Sequence, residues 1–198
     1  MAIVARKFFC DRGVMSAGNA DTSRTGRELA ERLLAKAGLA GKVEIVEKRR
    51  AEVVVGKPVR LQLPGSLLAA KNVVALGEVA LLCGHALVAV KNPDLLKWRQ
   101  WAVRFSWAFP VFTLVVLVFA VVATKLPPVW AIAAAVGSLG LGSAFSLLSV
   151  QVESQAAKMM ATLIDESQIF PRLKESEAVA LSCRSLAFRQ VVPGAIEW

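Results

Sequence analysis

From Phe105 to Thr124 the chain runs twenty residues without a charged side chain, and beyond Lys125 a second uncharged run extends from Leu126 to Val152. At about 1.5 Å of rise per residue, twenty residues make roughly 30 Å of helix, the thickness of a bilayer's hydrocarbon core. Two buried helices of a soluble core are the alternative, but such helices keep a polar face and rarely go so far without a charge. The pattern therefore predicts a transmembrane hairpin, with spans at about 105–124 and 129–152 and with Pro127 and Pro128 in the turn.

Upstream the periodicity is that of a small mixed region. Thr25-Gly-Arg-Glu28 is a capping box, and Leu29, Leu33, Leu34 and Ala37 follow at helical spacing until Gly38 closes the helix. Lys42–Glu47 and Val59–Leu63 alternate apolar and polar residues as half-buried strands do, with the basic stretch Lys48-Arg49-Arg50 between them. The segment Asn72–Val90 is as apolar as a span but carries Glu78 and His85, seven residues apart and so about 20° apart around a helix. It reads as a helix packed in the protein interior or at the membrane surface, with these two residues turned toward a partner. After the hairpin a helix continues to about Glu166, breaks at Phe170-Pro171, and gives way to an amphipathic helix near Glu175–Val191. The chain thus reads as a mainly α membrane protein in four parts: a small α+β region over 1–70, a buried helix over 71–91, a hairpin over 105–152 and a C-terminal helical region over 153–198 with amphipathic helices.

Composition agrees with a membrane protein, since 56% of the residues are hydrophobic and 20% charged, against about 45–50% and 25% in an average soluble domain. The formal net charge of +9 is concentrated ahead of the hairpin. Lys91, Lys97, Arg99 and Arg104 precede it and Lys158 follows it, against Lys125 alone in the turn, so the positive-inside bias puts both termini in the cytoplasm, at the cell's inner membrane. Trp98, Trp101, Trp107 and Trp130 flank the two spans as interfacial aromatics do. Gly137, Gly140 and Gly142 with Ser138, Ser143 and Ser146 give the second span a small-residue face suited to another membrane helix. Besides the bilayer, the expected partner is thus another membrane protein, and no nucleic acid is expected. Cys10, Cys83 and Cys183 are odd in number and widely spaced, which predicts unpaired thiols in a reducing compartment. Met1–Ala5 is too short for the apolar region of a secretory signal.

Candidate chemistry is sparse. The single histidine is His85, in Leu81-Leu82-Cys83-Gly84-His85-Ala86, and the first charge after the second span is Glu153, in Val152-Glu153. In their order along the chain, the capping-box helix, the strands, Gly84-His85-Ala86, the hairpin and Val152-Glu153 make the sequence resemble the neutral zinc metallopeptidases of bacterial membranes, from about Thr25 to about Val191. In that family a helix carries H-E-x-G-H-A. Two histidines four residues apart bind Zn²⁺, the intervening Glu is the general base, and the Val-Glu helix supplies a third ligand. The resemblance puts Leu81 at the first histidine and Leu82 at the general base, leaving His85 and Glu153 as vestigial ligand positions. It also implies an apolar helix before the capping box and another at the C-terminus, for which residues 1–24 and 188–198 are too short and polar. The sequence thus reads as either a pared-down member or one with a misplaced start.

That departure governs the functional expectation. Leucine offers no lone pair to a metal, and loss of a general base alone costs about 10²–10⁴ in rate. The resemblance with these losses implies a catalytically inactive pseudopeptidase that serves as a binding or scaffold subunit, with no cofactor expected although active members hold zinc. Glu78, Gly84 and His85 form the helix face of interest. A rebuilt Glu78/His85/Glu153 metal site would need side chains to converge over about 10 Å of axial rise. His85 and Glu153 are instead expected to pair, the carboxylate raising the histidine's pKa and burial opposing it. Two other readings are a divergent active zinc peptidase with unrecognised ligands, and a basic surface module that binds anionic lipid through Lys48-Arg49-Arg50, Lys57 and Arg60.

Overall fold

The computed structural model describes residues 21–124 and 127–191. Cys10, Lys125 and the C-terminal tail lie outside the described residues, as do the side chains of Trp107 and Ser146. The elements run α1 (Gly26–Lys36), β1 (Val43–Glu47), β2 (Glu52–Val54), β3 (Val59–Leu63), α2 (Gly65–Ala69), α3 (Val73–Lys91), α4 (Pro93–Thr124), α5 (Pro128–Leu148), α6 (Val150–Ser167) and α7 (Leu173–Val191). The chain is mostly helical with one small sheet. The Thr25 hydroxyl accepts from the Glu28 amide to start α1, and Gly38 takes the left-handed conformation (φ +68°) that lets the chain leave it.

The sheet order is β1-β3-β2, with β3 parallel to β1 and antiparallel to β2. This places β2 at an edge although it precedes β3 in sequence. Val59, Leu61 and Leu63 of β3 point inward and are buried, as the alternation predicts.

Helix α3 is the centre of the molecule. It packs against α1, the sheet, α4, α6 and α7, and fifteen of its nineteen residues are buried. A helix covered on all sides needs no polar face, which is why its composition matches that of a span. Two glycines set how closely its neighbours approach. A Cβ on Gly84 would stand 2.8 Å from the Ala156 carbonyl oxygen of α6, and one on Gly77 would stand 2.5 Å from Ser182 Oγ of α7.

Among the described residues, three helical segments are long and apolar enough to cross a membrane, those over α3, α4 and the run α5–α6. They differ in what covers them. The apolar window of α3 is largely buried by the protein itself, whereas that of α4 is wholly uncovered, with Phe112, Phe119 and Val122 exposed, as are Trp130, Ile132 and Val136 of α5. Helices α4 and α5 pack together along their length. Where they touch, Pro110 cannot donate to the Ser106 carbonyl four residues earlier. Gly142 of α5 lies against that same carbonyl, where a Cβ would stand 2.8 Å from the oxygen. Of the predicted small-residue face, Gly142 is therefore spent within the hairpin and Ser138 is buried, while Gly137 and Gly140 have open space beside them.

The second helix of the hairpin is shorter than its uncharged run predicts. It ends at Leu148, Ser149 forms a one-residue turn, and Val152 and Glu153 already lie in the core on α6. Hydropathy does not register this break, because valines facing a protein core are as apolar as valines facing lipid. Helix α7 returns across α3 and α6, and its first turn is tied to the start of the described chain by Ser23, whose hydroxyl donates to Glu175 at 2.9 Å.

The approach of α6 at Gly84 yields a direct expectation. Gly84→Ala pushes a methyl group into a backbone oxygen, so it should lower unfolding stability by about 1–3 kcal/mol, the usual cost of overpacking. Exposed Lys91→Ala at the end of the same helix should change stability by less than about 0.5 kcal/mol. Chemical denaturation of the detergent-solubilised protein, followed by circular dichroism, measures both.

Candidate functional site

His85 lies on the buried face of α3 and Glu153 one turn into α6, held opposite each other by the close crossing at Gly84. His85 Nε2 stands 2.7 Å from Glu153 Oε2, and both side chains are almost completely buried, at 3% and 2% exposure. The other carboxylate oxygen, Oε1, accepts from Arg99 of α4, through Nε at 2.5 Å and through Nη2. The Arg99 side chain is itself only 16% exposed. Arg99 thus serves as a ligand-like partner of the carboxylate, whereas by sequence it reads only as one more positive charge before the hairpin. The signal available was its position within two turns of the first span, and nothing in local periodicity links it to a residue 54 positions away.

The protonation states follow from this geometry. Burial pushes the Glu153 carboxyl up, but the hydrogen bond to His85 and the guanidinium of Arg99 outweigh it and hold the group below the usual carboxylate range. An ionised carboxylate can only accept, so His85 Nε2 carries the hydrogen in this contact. The raised histidine pKa expected from the Glu153 carboxylate is corrected. Burial is the largest influence and lowers it, the nearby Arg99 charge lowers it further, and the Glu153 hydrogen bond does not compensate. Physically, one carboxylate already neutralised by an arginine is a poor partner for a second buried cation.

Leu81 is fully buried, and Leu82 faces the same cavity as His85. The cavity has a volume of about 260 Å³ and lies between the start of β2, α3 and the first three turns of α4, with Arg50, Glu52, Gln100 and Arg104 around it. Gln100 Nε2 donates to the Val53 carbonyl oxygen of the edge strand at 2.8 Å, and Arg104 pairs with Glu52 at 3.4 Å. Glu78 does not join the site. It sits two turns before His85, half-buried, with burial raising its carboxyl pKa, and no hydrogen bond or ion pair connects it to His85 or Glu153. Gly84 acts through packing, as described above. Cys83 and Cys183 are buried and unpaired, and burial pushes the Cys183 thiol up to about 12.

A model of the family described as "Putative neutral zinc metallopeptidase" matches residues 13–188. The chain belongs to this family. The match spans the sheet, α3, the hairpin and most of α7, and so covers every element that builds the site. No curated protein and no solved structure matches the chain.

Membership in a zinc metallopeptidase family implies zinc in active members, so the residues must be tested against that ion. A catalytic zinc site takes three protein ligands and leaves a fourth position open. Among the described residues no group of three His, Cys, Asp or Glu side chains is gathered to hold a metal. The two donors at the family positions are turned to each other: His85 spends Nε2 on the carboxylate, and both oxygens of Glu153 are engaged. The donor set does not fit zinc, and no step through a metal is derived.

The arrangement predicts strong coupling within the trio. Arg99→Leu strands a buried carboxylate and should cost on the order of 3 kcal/mol, the low end of the range for breaking a buried pair because Arg99 is partly exposed. Adding Glu153→Gln to Arg99→Leu should recover most of that loss. A double-mutant cycle by chemical denaturation in detergent measures the coupling, and additive effects would contradict the geometry.

Proposed function

We propose that this chain is an integral membrane protein of the inner membrane that has kept the metallopeptidase fold and lost its chemistry, and that it works as a binding or scaffold subunit. The observation that carries this reading is the engagement of Glu153 by Arg99. A cation covalently part of the chain stands on the carboxylate that the family resemblance assigns to the metal, and Leu81 and Leu82 stand where a histidine ligand and a general base are needed. His85 and Glu153 are then vestigial ligand positions whose present work is structural, no zinc is held, and no side chain is left to deprotonate a water.

The uncovered apolar surfaces of α4 and α5 support insertion in a bilayer, and the excess of Lys and Arg ahead of the hairpin over the single Lys125 in its turn supports termini in the cytoplasm. The open face at Gly137 and Gly140 suits close approach of a helix from a partner membrane protein.

Metal analysis of protein extracted with detergent from carbonate-washed membranes tests the reading. Wild type should stay in the washed membrane and carry far less than one zinc per chain. Leu81→His/Leu82→Glu should remain poor in zinc, because Arg99 still holds the third ligand. The same pair combined with Arg99→Leu should gain zinc toward one per chain. Stoichiometric zinc in wild type together with chelator-sensitive peptidase activity would overturn the proposal, and release by carbonate would overturn its membrane part.

A further inference from the structure

The cavity beside His85 is more basic than a vestigial active site requires. Arg50, Arg99 and Arg104 line it, against the single carboxylate Glu52. Arg99 is neutralised from behind by Glu153, and Arg104 meets Glu52 in a loose pair whose side chains are 77% and 42% exposed. Such an exposed pair holds its partners weakly and gives way easily to a better anion. Among the described residues no ion pair engages Arg50. The cavity thus carries one positive charge in excess and two arginines free to turn toward a ligand. At about 260 Å³ it is smaller than the roughly 300–1,000 Å³ of drug-sized sites, and suits a headgroup.

Its position supplies the second argument. Arg104 is the last charged residue before the uncharged run that starts at Phe105, so the cavity mouth lies at the level where α4 passes from charged to apolar surroundings. At the same level of α4, on the face turned away from the cavity, Trp98 and Trp101 are half-exposed and stacked at 5.3 Å, and Trp101 stacks on Phe105, which meets Phe145 of α5. Aromatic side chains of this kind occupy the headgroup level of a bilayer, and basic pockets beside spanning helices on the cytoplasmic side bind anionic headgroups.

We propose that this cavity binds the phosphate headgroup of an anionic phospholipid between Arg50 and Arg104. The site is distinct from a diffuse basic surface: it uses one residue of the Lys48-Arg49-Arg50 stretch, and its second arginine comes from the membrane helix. The inference rests on the hairpin spanning a bilayer, which the carbonate wash tests separately, and it is independent of whether the peptidase chemistry is lost.

Native mass spectrometry of the full chain in detergent, with phosphatidylglycerol or phosphatidylcholine added, tests it. Wild type should retain one phosphatidylglycerol in clear preference to phosphatidylcholine. Arg50→Gln/Arg104→Gln should lower that preference on the order of thirtyfold, as expected for two basic residues at a membrane surface. Lys48→Gln/Arg49→Gln, in the same stretch but outside the cavity lining, should leave it intact. Both cavity arginines being exposed, the variant's unfolding temperature in phosphatidylcholine should match wild type and so certify its fold. Equal retention of the two lipids by wild type, or an equal loss of preference in the two double variants, would overturn the proposal. So would stabilisation by inorganic phosphate as large as that by phosphatidylglycerol, which would make free phosphate the ligand.

Discussion

A carboxylate with 2% of its side chain exposed cannot stand alone in a helical core, and the rest of the structure is arranged around satisfying Glu153. Its two oxygens draw on two different helices, α3 through His85 and α4 through Arg99. Because α6 carries the carboxylate, three helices converge on one charge. The charge sits a single turn past the hairpin, so the trio also joins the apolar helices to the packed core.

The convergence requires close approach, and α3 supplies it with small residues. Gly84 lets the backbone of α6 come close enough for a histidine and a glutamate to meet directly, and Gly77 does the same for α7. His85 and Glu153 accordingly meet by direct contact. The apolar pair Leu81 and Leu82 then packs without unsatisfied polar atoms, which fits a site maintained for stability.

Much of this was legible in the sequence where a single element carries its own signal. The capping box starts α1, the alternation of Val59, Leu61 and Leu63 gives β3 its inward face, and the uncharged runs mark the hairpin. The colinear pieces pointed to the family that the family match then showed. Features that depend on residues distant in sequence were not legible. Arg99 reads as topology because its partner is 54 residues away, the turn at Ser149 is hidden by flanking valines, and the edge position of β2 depends on a parallel pairing that skips it. The His85 shift runs opposite to the expected direction mainly because burial outweighs the carboxylate, and the Arg99 charge, which no local signal announces, adds to it.

Helix α4 has a further geometric consequence. It runs 32 residues from Pro93 to Thr124 without a break, roughly 48 Å, and its opening turns are locked to the core by Arg99 and to the sheet edge by Gln100. A helix clamped at one end behaves as a lever. Beyond the proline that opens the helix, Pro110 is the one proline in its interior, so the stretch between the clamp and that point is a stiff arm. The buried charge thus fixes the direction in which the apolar run leaves the core.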